Sequence, residues 1–470
     1  MERSNLIGAI QTKGTTTANG MPTHITSGSY CLDLFGLAGA ARGLGDDVIV
    51  NAFVKAFEED SLVAMKILFW ARDVRGGAGE RRFFRVIMKY LSENRPEALN
   101  KVLHLVPEYG RWDDLFLLED DCRIMDIIKE GLAQKNGLLA KWLPRKGKFA
   151  EKVRKHLGLK PAEYRRLIVG LSKTVEQSMC AKEWDGIVYP HVPSQAMNKY
   201  RKAFFRNDEA RFSQFIADVG AGKTKINSST VFPYQLYNAF KKGERKSVVE
   251  AQWNALPDFL AGSTQRILPI CDVSGSMTCI DSGVKHGVTP MSVCISLGIY
   301  ISERNKGLFK DAFVTFSKKP TLQILKGSFY ERCRQLEEAH WEMNTDIEAV
   351  FNLLLDSAAK ASVTPEEMPT MLLIISDMQF DSCVQEPDNT ALEMIRNKYK
   401  AAGYQMPSLI FWNVNANADQ SVVRYNDKGA GIVSGFTPAI LKSVIKGTVA
   451  NPLIVMLETV MTDRYAPIEL

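Results

Sequence analysis

The residues best suited to chemistry lie in the second half of the chain. Asp272-Val273-Ser274-Gly275-Ser276 places one carboxylate and two hydroxyls at alternate positions, all able to point at one ion, with Gly275 allowing a tight turn. Ser376-Asp377 brings a second carboxylate, and Asn344-Thr345-Asp346 offers a third hydroxyl at the start of a helix. Two carboxylates, hydroxyl oxygens and water form a hard-oxygen set. It suits Mg²⁺, which is octahedral and reluctant to lose all its water. Mn²⁺ fits as well, and Ca²⁺ less comfortably. The expected metal ligands are therefore Asp272, Ser274, Ser276, Thr345 and Asp377.

Such a site needs elements that end at a common edge. RILPICDVS reads as a short apolar strand running into a polar turn, and TMLLIISD as a fully buried strand ending in an acid. DAFVTFS, TLQIL and SLIFWNV read as further strands, and MSVCISLGIYISERN, DIEAVFNLLLDSAAK and ALEMIRNKYKAAG have helical spacing. Apolar strands alternating with amphipathic helices imply a mostly parallel sheet covered on both faces. Ligands of such sheets sit beyond the carboxyl ends of the strands.

Other chemistry finds less support. The eight cysteines are scattered without a CxxC pair, and the six histidines without HExxH, so reduced thiols are expected rather than disulfides or zinc. Cys271 reads as a buried strand residue. Arg75-Gly-Gly-Ala-Gly79 looks like a phosphate-cradling loop but lies between helical segments, and Gly222-Lys223-Thr224 lacks the earlier glycine of a Walker A loop, which is Ala217 here. No general base or second metal cluster accompanies the acids, so catalysis is not expected and a phosphohydrolase is the weakest reading.

The first half is different. Residues 1–45 read as a loop-rich segment, with NGMPTHITSGS as loop. From 46 to about 220, amphipathic helices follow one another without intervening strands, which suggests stacked helical pairs without a fixed repeat period. Residues 1–260 hold 40 Lys+Arg against 30 Asp+Glu, whereas 261–470 hold 19 against 23, so the first half is the better binder of polyanions. Residues 141–160 alone carry eight Lys/Arg and one Glu, with Trp142, Phe149 and His156 interleaved. The candidate nucleic-acid contacts are Lys141, Arg145, Lys146, Lys148, Lys152, Arg154, Lys155, Arg165, Arg166, Arg201 and Lys202. Basic side chains neutralise phosphates and exposed aromatic rings stack unpaired bases. Equally, the aromatics can form a helical core under a solvated basic face, and helical spacing favours that for Phe204 and Phe205.

At 470 residues, 46% hydrophobic and 24% charged, the chain has the balance of a soluble protein of two domains. No apolar run approaches the ~20 residues of a membrane helix. The start, MERSNLIGAIQTKG, lacks the layout of a secretory signal, so a cytoplasmic protein is expected.

The acid and hydroxyl set, in this order of elements, resembles the metal-ion-dependent adhesion site of von Willebrand factor A domains. The resemblance implies that Asp272, Ser274 and Ser276 bind the ion directly, that Thr345 and Asp377 bind directly or through water, and that one position stays open for an acidic group of a partner. A basic helical array before such a domain resembles the Ro autoantigen and other TROVE-module proteins, whose helical repeats bind structured and misfolded RNA. A nearer resemblance is to an uncharacterised domain-of-unknown-function family with this layout. The segments that carry this are LFWARDVRGGAGERR (68–82), KWLPRKGKF (141–149), KEWDGIVYPHVPSQAMNKYRKAFFRND (182–208), CDVSGSM (271–277) and SDMQFD (376–381).

The expectation is thus a multidomain protein. A loop-rich segment (1–45) precedes an all-α, HEAT-like helical-repeat domain (46–260) and an α/β, Rossmann-like von Willebrand factor A domain (261–470). The expected function is non-catalytic RNA binding with Mg²⁺-dependent capture of a ligand or partner. The alternative is a metal-dependent protein–protein module without RNA.

Overall fold

A computed structural model describes residues 14–119, 121–278, 288–316, 320–338, 346–382, 388–417, 420–445 and 449–470. They form two compact units that do not follow the linear division expected above. One comprises the described residues of 1–84, 232–253 and 257–466, the other those of 85–231 with 254–256 and 467–470.

The first unit is built on a six-stranded sheet of order β5-β4-β3-β6-β7-β8, counted among the described residues. The strands are β3 (Ile267–Asp272), β4 (Ala312–Phe316), β5 (Thr321–Ile324), β6 (Met371–Ser376), β7 (Ser408–Asn413) and β8 (Ala430–Ser434). All neighbours run parallel except the edge strand β5. Every residue of β3, β6 and β8 is buried, which is why these strands run apolar without alternation up to the polar residue that ends each, Asp272, Ser376 and Ser434. The strands expected from sequence are all present, and β8 is added to them.

Two further strands, β1 (Gly14–Thr16) and β2 (Pro22–His24), form an antiparallel hairpin within NGMPTHITSGS and its approach. The loop expected there is therefore partly strand. A helix follows, α1 (Tyr30–Ala38), started by Ser29, whose hydroxyl accepts from Leu32 N. Its glycines made this stretch read as loop, but they serve close approach. A Cβ at Gly36 would stand 3.0 Å from Ile432 Cδ1, and one at Gly39 would stand 2.1 Å from Ser434 O. Ser434 Oγ donates to Phe35 O at 2.7 Å and accepts from Gly39 N at 2.9 Å, so α1 is tied directly to β8.

Helices α2 (Asp46–Glu59) and α3 (Ser61–Arg72) pack on α1 and belong to the sheet unit rather than to a helical array. The buried Lys66 ammonium donates to Tyr465 O at 2.7 Å, and Asp73 takes Arg464 Nη2 at 2.8 Å and Tyr465 OH at 3.1 Å. The Arg75–Gly79 loop is a packing device here. A Cβ at Gly77 would stand 1.9 Å from Trp70 O, and Gly79 has φ +70°. Further along, α4 (Pro290–Arg304) lies so close to β3 that a Cβ at Gly298 would stand 2.6 Å from Cys271 Sγ. A later helix, α5 (Ile347–Lys360), is capped by Asp346, which accepts from Ala349 N.

The second unit is helical. Its longer helices are Cys122–Ala133, Lys148–His156, Pro161–Ser172, Ser194–Asn207 and Glu209–Gly220. Part of its core is an aromatic cluster in which Tyr189, Phe204, Phe205, Phe212 and Phe215 meet edge-to-face, tilted or stacked. Residues 85–231 hold 27 Lys+Arg against 18 Asp+Glu, so nearly the whole basic excess of the first 260 residues resides there.

The seat of α1 is testable. Gly39→Ala drives a methyl group into a backbone carbonyl that cannot yield as a flexible side chain would. It is expected to cost about 3 kcal/mol, the upper range for overpacking, read as a lower urea midpoint. An unchanged midpoint would show that α1 does not dock on β8 in this register.

Candidate metal centre and basic face

Strands β3 and β6 are parallel neighbours in register, with Cys271 opposite Ile375, so their carboxyl ends emerge side by side. The strand order reverses at this pair: β4 and β5 continue to one side, β7 and β8 to the other. Loops diverge at such a point and leave a crevice. Asp272 and Ser376-Asp377 stand at it for that reason.

Asp272 is fully buried. Its Oδ2 accepts from Ser376 Oγ at 2.6 Å and its Oδ1 from Ser274 N at 2.9 Å. The Ser274 and Ser276 hydroxyl oxygens are 3.0 Å apart, so the alternate-position hydroxyls do converge. Asp377 is also buried, and its Oδ1 accepts from Gln379 N at 3.2 Å. Between them Met378 adopts φ +65°, a left-handed turn unusual for a residue with a side chain, and its N–H is held by Ser376 Oγ at 2.9 Å. Four of the five expected ligands thus belong to one edge. Thr345 lies outside the described residues.

Two buried acids at one crevice are electrostatically costly. Burial, with the neighbouring Asp377 carboxylate, pushes the Asp272 carboxyl up to about 7. Burial also raises Asp377, against the Ser276 hydroxyl and the Gln379 N–H that hold it down. No group of three or more His, Cys, Asp and Glu gathers here or elsewhere among the described residues, so a zinc-type cluster is absent among them. The donors present are carboxylate and hydroxyl oxygens, the set that fits Mg²⁺ or Mn²⁺. A divalent ion would relieve the repulsion and occupy the oxygens that the hydroxyls turn inward.

Beside Asp377 lies a cavity of about 470 Å³, roofed by α1 and α2 and floored by Asn413, Asn417 and Ile432. Cys271 is buried, as expected from sequence, and Cys294 Sγ donates to Ile375 O at 3.2 Å, so both thiols are structural. The sequence reading missed Ser376 and Gln379. Ser376 adjoins Asp377 and was open to notice, whereas Gln379 carries no local signal.

The basic residues divide into two groups. Arg145, Lys146, Lys148, Lys152, Arg165, Arg166 and Lys202 are exposed. Tyr164 OH donates to Pro144 O at 3.0 Å, which brings the helix carrying Arg165 and Arg166 against the turn carrying Arg145 and Lys146. The remaining four are Lys141, Arg154, Lys155 and Arg201. Lys141 is half-buried, 3.5 Å from Glu176 Oε1, and Arg154 donates to Leu159 O at 2.9 Å, closing its own helix. Lys155 pairs with Glu151 at 2.8 Å. Arg201 corrects the expectation: it is 7% exposed and donates to Asn198 Oδ1, because its side of the helix faces the core.

Most of the interleaved aromatics are spent on packing, as helical spacing favoured for Phe204 and Phe205. Phe149 and Phe204 are buried, Phe205 packs on Phe212, and Trp142 is half-buried with the Arg111 guanidinium 4.2 Å over its ring. Of the rings interleaved in 141–160, His156 is the exposed one, and its Nε2 lies 3.1 Å from Asp126 Oδ1. The face can hold phosphates, while its phenylalanines are spent on the core.

With this geometry in view, two family models match the chain. Residues 266–461 match a domain of unknown function (DUF7788), and residues 17–116 and 159–265 match another (DUF2828). Over 503 aligned residues the chain is 28% identical to an uncharacterized protein, L728, of Acanthamoeba polyphaga mimivirus, covering 94% of this chain and 86% of that one. Among solved structures it is similar to the Ro (RSR) protein of Deinococcus radiodurans, with 12% identity over 88% of this chain and 91% of that chain. The TM-score of 0.39 is too low to establish a common fold.

The raised Asp272 carboxyl has a signed consequence. The metal-free folded protein binds a proton at Asp272 that the unfolded chain releases near its ordinary value, so stability should fall as pH rises toward about 7. Asp272→Asn is expected to flatten that fall in thermal midpoints taken in EDTA between pH 5 and 8. An equal slope in variant and parent would remove Asp272 as the source.

Proposed function

We propose that the chain is a non-catalytic RNA-binding protein. Its helical unit holds RNA phosphates, and the β3–β6 edge holds Mg²⁺ in the manner of a von Willebrand factor A domain, leaving a position for a ligand or partner. The observation that carries the RNA half is the confinement of the basic excess to residues 85–231, with Arg145, Lys146, Lys148, Arg165 and Arg166 exposed. With Phe149 and Phe204 buried, this face would read the charge and shape of RNA rather than its sequence. Structured or misfolded RNA is the class that fits.

Asp272, Ser274, Ser276 and Asp377 would hold the ion, with Thr345 as the remaining expected ligand. Bound there, Mg²⁺ supplies a positive centre with an open position for an oxygen of an acidic group. The converging hydroxyls and paired acids are a specific observation that also favours a second reading, in which the ion captures an acidic residue of a protein partner without RNA. No helix of the described residues is long and apolar enough to cross a membrane.

Salt-dependent RNA binding separates the two. Charge reversal of Lys146, Lys148, Arg165 and Arg166 is expected to weaken RNA binding and to reduce the slope of log K against log salt by about 3, near 0.7 per lost phosphate contact. Parent-like binding and slope in the variant would leave the RNA reading without its physical basis. For the ion, Asp272→Ala is expected to abolish the Mg²⁺-dependent rise in thermal midpoint while the chain stays folded. A rise equal to the parent's would sink the site.

A further inference from the structure

The hairpin β1–β2 lies hundreds of residues before the acids yet grips the loop that carries one of them. Thr17 Oγ1 donates to Phe380 O at 2.6 Å, Asn19 Nδ2 to Gln379 O at 2.7 Å, and Ala18 N to Gln379 Oε1 at 2.7 Å. Gly20 bridges to Asp381, and Ser382 N donates to Asn19 O at 3.3 Å. The hairpin turn is itself tied down, since Met21 N donates to Thr17 Oγ1 at 3.0 Å and Met21 is buried.

Gln379 is where these contacts converge. Its backbone N–H holds Asp377 Oδ1, its Oε1 takes the hairpin's Ala18 N–H, and its Nε2 donates to Gln420 Oε1 at 2.7 Å. Gln420 in turn donates to Thr16 O at 3.1 Å, which closes a circuit through β1, the loop after β6 and the loop after β7. Asn417 Nδ2 adds a bond to Asp377 O at 3.3 Å. The loop so held includes Met378 in its left-handed conformation, which a side-chain-bearing residue keeps only when its surroundings impose it.

We propose that the N-terminal hairpin is a clasp for the cation site, and that Gln379 is its positioning residue, fixing the Asp377 carboxylate toward the ion. The inference rests on the cation reading above and adds to it a part of the chain far from the acids. It makes cation affinity depend on residues 14–22. Groups that orient a metal ligand typically change affinity 10–100-fold when removed.

The test uses the full chain and Mn²⁺ as probe, with free Mn²⁺ measured by electron paramagnetic resonance. Gln379→Met keeps the side chain's bulk and removes its hydrogen bonds. Thr23→Val removes a bond of the same hairpin, Thr23 Oγ1 to Ser421 O at 2.7 Å, away from the Asp377 loop. Gln379→Met is expected to weaken Mn²⁺ binding about tenfold and to speed amide exchange at Met378–Phe380 in the metal-free protein. Thr23→Val should leave both within about twofold, below the effect expected of an orienting group. Parent-like Mn²⁺ affinity in Gln379→Met overturns the proposal, and so does an equal loss in Thr23→Val, which would mean the hairpin acts through general stability. If the parent binds no Mn²⁺, the cation reading fails instead. The clasp is then judged on exchange alone, and unchanged exchange overturns it.

Discussion

The parallel pairing of β3 with β6 is the constraint on which the sheet unit depends. It puts Asp272 and Asp377 at one buried edge, where two negative charges share a low-dielectric crevice. Hydroxyls and backbone N–H groups compensate part of that cost: Ser376 and Ser274 on Asp272, Gln379 on Asp377. The remainder calls for a proton or a cation. The raised Asp272 carboxyl reflects that demand.

Holding such an edge needs support from outside the strands. Parallel strands buried on both faces must be covered, and much of the cover over β7 and β8 comes from the first 84 residues. Helix α1 reaches β8 through Gly36 and Gly39, and the hairpin before it reaches the loops after β6 and β7. The sheet unit is therefore discontinuous in sequence. Residues 85–231 form a compact unit inserted between its parts.

The insertion separates two kinds of electrostatics. Residues 85–231 carry a net excess of cations, and their aromatic side chains are largely spent on packing. A surface of that kind binds polyanions through counterion release, with strong salt dependence and little reading of bases. The sheet unit concentrates acids and oxygen donors at one crevice instead.

Much of this was legible in the chain. The central strands β3, β6 and β7 announce themselves because burial on both faces demands apolar runs, and the acids announce themselves because they fall at the ends of β3 and β6. Asp272, Ser274 and Ser276 lie within five residues, so local geometry alone brings their oxygens together. What only the tertiary structure decided depends on contacts between distant residues. Thr17, Ala18 and Asn19 meet Gln379 and Phe380 across more than 350 positions through hydrogen bonds of ordinary loop residues, which leave no periodicity to read. The glycines of α1 look like loop signals until β8 is placed against them. Arg201 looks like a phosphate ligand until its helix is rotated into the core. Residue types and spacing determine which side chains can do chemistry. Which of them face a ligand, and what holds them there, is settled by packing.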